Sequence, residues 1–152
     1  MPTIAIAGFF DTSRIVDLKA SSKADALREL CRAAAGAPEV TDPEGFLRAV
    51  MEREEIMSTG IGLGIAVPHA KIGSVAGFTL TLGRSKAGID FEALDRRPVH
   101  LVVLIAGPEN RQARYLQILA SVTLRLKRED VRKELLAASG PEEILAILSR
   151  DG

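Results

Sequence analysis

Val99-His100-Leu101-Val102-Val103-Leu104-Ile105-Ala106 is nearly continuous apolar sequence, rich in β-branched residues, and Gly107-Pro108 ends it. A run of this kind, bounded by turn residues, reads as a strand covered on both faces. Other elements must therefore pack above and below it. On its C-terminal side the pattern becomes helical. Leu116, Leu119, Val122 and Leu126 share one face of a long helix, and a turn near Glu129 leads to Val131, Leu135 and Leu136. Ser139-Gly140-Pro141-Glu142 starts a last helix carrying Ile144, Leu145, Ile147 and Leu148.

On the N-terminal side, Gly77-Phe78-Thr79-Leu80-Thr81-Leu82-Gly83 alternates and reads as a strand with one wetter face. Ile65-Ala66-Val67 is a shorter strand candidate. Pro68 closes it, because proline cannot donate to a sheet ladder. His69 is thereby expected where a strand ends and a loop begins. Arg14-Ile15-Val16-Asp17-Leu18 alternates as a short strand would. Two helices lie between. Ser22 caps the first, whose face is Leu27, Leu30, Cys31 and Ala34, and Gly36 stops it. Thr41 or Asp42 caps the second, Pro43 and Glu44 suit its first turn, and Phe46, Leu47, Val50 and Met51 line it to near Glu55. Met1 to Phe10 is apolar but fits no single element. Strands set between helical stretches give an α/β fold class: a three-layer α/β/α arrangement with a small mixed central sheet, in one domain over residues 1–152.

Composition narrows the function. Hydrophobic residues make up 47% and charged residues 26%, an ordinary balance for a globular domain. Five Phe, one Tyr and no Trp leave the core to Leu, Ile, Val and Ala. Twenty basic and twenty acidic residues cancel, which argues against a nucleic-acid partner. The basic run Arg125-Leu126-Lys127-Arg128 meets Glu129 and Asp130 at once and reads as a solvated helix end. Cys31 is the only cysteine, so no internal disulfide forms, and a buried small hydrophobe is its expected role. No apolar run approaches the ~20 residues of a membrane span. The N-terminus lacks a basic region before its apolar residues, so it reads as mature sequence, and the cytoplasm is the expected location.

The chemistry-bearing stretch is Arg53-Glu54-Glu55-Ile56-Met57-Ser58-Thr59-Gly60-Ile61-Gly62-Leu63-Gly64-Ile65-Ala66-Val67-Pro68-His69-Ala70. Clustered glycines let backbone N–H groups approach an anion closely. Ser58 and Thr59 add hydroxyl donors, and Arg53 adds a fixed charge whose fork geometry matches phosphate. His69 is the nearby group with an unperturbed pKa close to neutrality, and a neutral imidazole nitrogen is a nucleophile. Together these suit holding a phosphoryl group on His69. Competing motifs fail. The G-K-[ST] ending of a Walker loop is absent, and Val67 occupies the third glycine position of the dinucleotide pattern. Neither H-E-x-x-H nor G-x-S-x-G occurs, and two His with one Cys give no metal-site spacing. No metal or cofactor is expected.

This segment resembles the active-site signature of enzyme IIA proteins of the bacterial phosphotransferase system, in the fructose/mannitol class that includes the nitrogen-regulatory branch. Arg53-Glu54, Ser58-Thr59-Gly60-Ile61-Gly62 and Gly64-Ile65-Ala66-Val67-Pro68-His69 carry the resemblance. Ser22 to Leu27, Ile89-Asp90-Phe91 with Pro98-Val99, and Tyr115 to Ala120 extend it over most of the chain. The resemblance implies that His69 accepts a phosphoryl group from a histidine-containing phosphocarrier protein, ultimately from phosphoenolpyruvate. His69 would pass it to a transporter enzyme IIB subunit or hold it as a regulatory signal. It also implies that Arg53 neutralises phosphate charge, while Ser58, Thr59 and Gly60 hydrogen-bond its oxygens. One departure stands out. The family often has a second histidine at the start of the helix after the central strand, and Tyr115 takes that place. A phenol can donate a hydrogen bond but carries no positive charge. His100, within the strand run, reads as a structural residue. A regulatory binding protein, whose contacts depend on His69 phosphorylation, is the alternative reading.

Overall fold

The computed structural model describes residues 3–150. Its axis is the run predicted to be covered on both faces, β6 (Val99–Gly107), in a six-stranded mixed sheet. β6 pairs antiparallel with β5 (Thr79–Ile89), and β5 pairs parallel with β1 (Ile15–Asp17). Along the other edge of β6 run β3 (Ile65–Ala66) and then β4 (His69–Lys71), both parallel to it. β2 (Gly60–Gly62) pairs antiparallel with β3.

Side chains alternate across β6. Leu101, Val103 and Ile105 face one core, completed by α3 (Gln112–Leu126), α4 (Glu129–Ala137) and α5 (Pro141–Ser149). Val102, Leu104 and Ala106 face a second core with α1 (Lys23–Ala34) and α2 (Pro43–Ile56). The expected three layers are therefore present. Ser22 accepts from the Asp25 amide and caps α1; Asp42 accepts from the Gly45 amide and caps α2, with Pro43 in its first turn. Cys31 is buried, and burial pushes its thiol pKa up to about 12, so it packs as an apolar group.

Three expectations change. The wetter face of β5 is dry: Thr79 and Thr81 are 2% and 1% exposed, because α1 covers the side from which they project. β5 also continues past Gly83, through Arg84, whose charge disguises a buried position. Arg84 is 2% exposed; it donates to both Asp17 carboxylate oxygens and to the Leu135 and Ala138 carbonyls. Finally, His69 does not open a loop. The chain breaks at Val67-Pro68 and rejoins the same edge of β6 as a further strand, with His69 opposite Ile105. Pro68 lacks an N–H, but its carbonyl still accepts from the Ile105 amide at 3.0 Å. The apolar N-terminal stretch forms a single 3-10 turn, Ala7–Phe9, with Ile6 and Phe10 buried; Met1 and Pro2 lie outside the described residues.

Candidate functional site: a histidine at the head of a short strand

His69 is half-buried as the first residue of β4. Its Nδ1 lies 3.3 Å from the Val67 carbonyl oxygen. A carbonyl can only accept, so Nδ1 carries the proton and Nε2 keeps the lone pair. Desolvation lowers the His69 pKa below its ordinary 6.5, the hydrogen bond to Val67 opposes that, and the positive fields of Arg53 and Lys71 add to the lowering. The neutral, nucleophilic ring is thus the favoured form at neutral pH.

Tyr115, on the first turn of α3, stands where the sequence reading put it. Its ring centroid is 5.2 Å from that of His69, tilted by 46°, and the residue is 5% exposed. Lys71 follows His69 by two positions, so both project from the same face of β4. The Lys71 ammonium sits 4.2 Å from the centre of the Tyr115 ring and donates to the Gln112 side chain. Sequence reading missed this lysine. The strand period would have revealed it had residues 69–71 been recognised as a strand.

Arg53 and Glu54 occupy the last turn of α2 and organise the loop that follows. Arg53 donates to the Met57 carbonyl at 3.0 Å. Glu54, 6% exposed, accepts from the Thr59 amide at 2.8 Å, from the Thr59 hydroxyl at 2.6 Å and from Lys23 Nζ at 2.8 Å. Ser58 donates its hydroxyl to the Phe91 carbonyl and accepts from the Gly60 amide. The donors expected to hold phosphate at Ser58, Thr59 and Gly60 are therefore engaged inside the loop. Glu54, quoted in the sequence motif without a role, is the acceptor that gathers this loop.

The remaining glycines make a turn. Gly62, Leu63 and Gly64 have φ of 97°, 60° and 77°, a left-handed run that reverses the chain between β2 and β3. His100 is remote from this chemistry. It lies five residues along β6 from Ile105, the partner of His69, or about 16 Å. Its Nδ1 is 2.8 Å from the Ser85 carbonyl, a structural role as expected. Among the described residues, no group of three or more His, Cys, Asp or Glu is placed to hold a metal, and no helix is long and apolar enough to cross a membrane.

The chain is similar to known proteins over most of its length. The chain is 37% identical over 129 residues to the fructose-specific EIIA component of Haloferax volcanii, covering 85% of this chain and 84% of that protein. It is 34% identical over 134 residues to a nitrogen regulatory protein of Bradyrhizobium diazoefficiens, covering 87% and 86%. It also matches the fructose-specific EIIABC component of Bacillus subtilis at 36% identity over 135 residues, 89% of this chain but only 21% of that longer protein. Nitrogen regulatory protein IIA-Ntr from Neisseria meningitidis superposes with a TM-score of 0.87 at 28% identity, covering 94% of this chain and 98% of that one. Enzyme IIA mannitol of Escherichia coli, solved in complex with phosphorylated enzyme IIB mannitol, gives 0.78 at 26% identity, covering 91% and 97%. The sequence model for the phosphoenolpyruvate-dependent sugar phosphotransferase system, EIIA 2, matches residues 9–151, and the chain belongs to that family.

Proposed function

We propose that this protein is a phosphoryl carrier of the phosphotransferase system, with His69 as the residue that is phosphorylated. The observation that carries the reading is the His69 ring itself: Nδ1–H tied to the Val67 carbonyl, Nε2 free to attack, and two cations acting on the ring. In the accepting step the Nε2 lone pair forms a bond to phosphorus. The bond from phosphorus to the donor's histidine nitrogen breaks, and its electron pair stays with the donor ring. The Nδ1 proton remains on His69 throughout. Transfer onward reverses the roles, with Nε2 as the leaving group.

The donor on this reading is a histidine-containing phosphocarrier protein, and the acceptor is an enzyme IIB subunit. The Escherichia coli mannitol pair supplies the precedent for the second contact. Arg53 would neutralise phosphate charge beside the ring, a charge-assisted interaction of about twice the strength of a neutral hydrogen bond. Ser58, Thr59 and Gly60 would turn donors to the phosphoryl oxygens by exchanging the loop bonds they now make. The protein would act in the cytoplasm, with residues 1–152 working as one EIIA unit. The nitrogen-branch alternative is favoured by the Neisseria meningitidis IIA-Ntr likeness. On that reading phosphorylated His69 switches a protein contact rather than feeding transport.

The test is phosphoenolpyruvate-dependent labelling with the general phosphotransferase proteins, read by intact mass and peptide mapping. Acid-labile phosphate on His69, lost in His69→Ala with the fold intact, is expected. Label persisting in that variant would remove His69 from the reaction.

A further inference from the structure

Lys71 shares the face of β4 that carries His69. A phosphohistidine brings three acceptor oxygens and strong negative charge to a half-buried position. Arg53 supplies one cation, from α2. Tyr115, from α3, lies beside the His69 ring and brings none, because a phenol has no cationic form. The ammonium of Lys71 lies over that phenol.

We propose that Lys71 is the second phosphate-binding cation of this site, presented to the phosphoryl group on His69 from the face of the Tyr115 ring. The inference rests on the phosphoryl-carrier reading and deepens it. Three features of the placement support it. Residues two apart on a strand project to the same side, about 7 Å apart at Cα, which is within reach of a four-carbon side chain. Gln112 takes only one of the three ammonium N–H donors, so others remain for phosphoryl oxygens. The ring face and the Gln112 carbonyl restrain a flexible side chain in advance, which lowers the ordering cost on phosphate arrival. Tyr115 and Gln112 are thus positioning residues, and Lys71 is the group that touches phosphate.

The experiment compares wild type, Lys71→Met, Lys71→Arg and the double variant Lys71→Met/Tyr115→His. Each is brought to equilibrium with a phosphorylated carrier protein and, in parallel, with phosphoramidate as a small-molecule donor. The readouts are the fraction of His69 phosphorylated, the half-life of the phosphate, and the thermal melt. Lys71→Met should lower the phosphorylated-to-free ratio about tenfold, as loss of one charge-assisted bond does, with the melt little changed. Lys71→Arg should stay near wild type, and the double variant should regain part of the loss, because it returns a cation from α3. Equal labelling of wild type and Lys71→Met would overturn the proposal. So would a loss in Lys71→Met that neither arginine nor the second substitution recovers, since packing rather than charge would then be at stake. A wild type that refuses the carrier protein but accepts from phosphoramidate fails the carrier reading while Lys71 is still tested. Refusal of both donors overturns both.

Discussion

At the residue scale the site depends on a few acceptors that pin down donors. Glu54 is the clearest case, a buried carboxylate with three donors around it: the Thr59 amide, the Thr59 hydroxyl and Lys23. Replacing it by Leu strands a buried hydroxyl, an amide and a largely buried ammonium. Breaking a buried pair from one side costs about 3 kcal/mol. Urea denaturation of Glu54→Leu should show a loss of that order, and Glu54→Gln, which keeps an acceptor oxygen, should lose less. His69 makes a pH prediction. Its folded pKa is lowered, with burial as the largest cause. The unfolded chain therefore binds the proton first on acidification. The stabilising contribution is present above 6.5, the unfolded value, and is lost as pH falls toward the folded one. An NMR titration should place the His69 midpoint below 6.5, and Lys71→Met should raise it, because the Lys71 field now pushes it down. Of these residues the sequence marks His69 and Thr59, the latter as a phosphate donor rather than as a partner of Glu54. Lys71 is hidden because Pro68 signals the end of sheet pairing although β4 resumes it, and Lys23 because a helix-start lysine carries no sign of its partner.

At the scale of elements, the helices and the longer strands follow from periods and caps, the short strands β2 and β4 do not, and the end of β5 is hidden where charge overrides period. Arg84 is the example. A charged residue after Gly83 signals the end of a strand, yet β5 runs on to Ile89. The guanidinium is consumed internally, by Asp17 on β1 and by carbonyls at the end of α4. Carbonyls at a helix C-terminus lack intrahelical partners, so one buried arginine here does the work of a cap. Arg84→Met keeps the length and removes these donors. It should cost about 2–3 kcal/mol in denaturant unfolding, less than a fully buried pair because Asp17 is largely exposed. Hydrogen exchange should quicken first at Leu135–Ser139 and not on β6.

For the whole molecule, the continuous apolar run of β6 was enough to foretell a layer on each side, and both cores are there. Sequence alternation could not show that the threonine face of β5 is also covered, because Thr serves wet and dry surfaces alike. The structure leaves the buried Thr79 and Thr81 hydroxyls without a hydrogen-bond partner among the described residues. Valine has nearly the same shape without the unsatisfied group. Thr79→Val and Thr81→Val should each stabilise by about 1 kcal/mol, measured as a higher urea midpoint at unchanged slope. A solvated face would give no gain. The layering also has a temporal side. β4 rests on β6, 36 positions later at His69 and Ile105, and the ring beside His69 comes from Tyr115 on α3. Pairings of such wide separation form late in folding, and synthesis proceeds at about 5–20 residues per second. A chain still emerging from the ribosome therefore leaves His69 unpacked for several seconds before β6 and α3 can cover it. On the proposed carrier reading, a nascent chain that lacks β6 and α3 would present His69 without the neighbours that desolvate it, so phosphorylation would favour completed molecules over emerging ones.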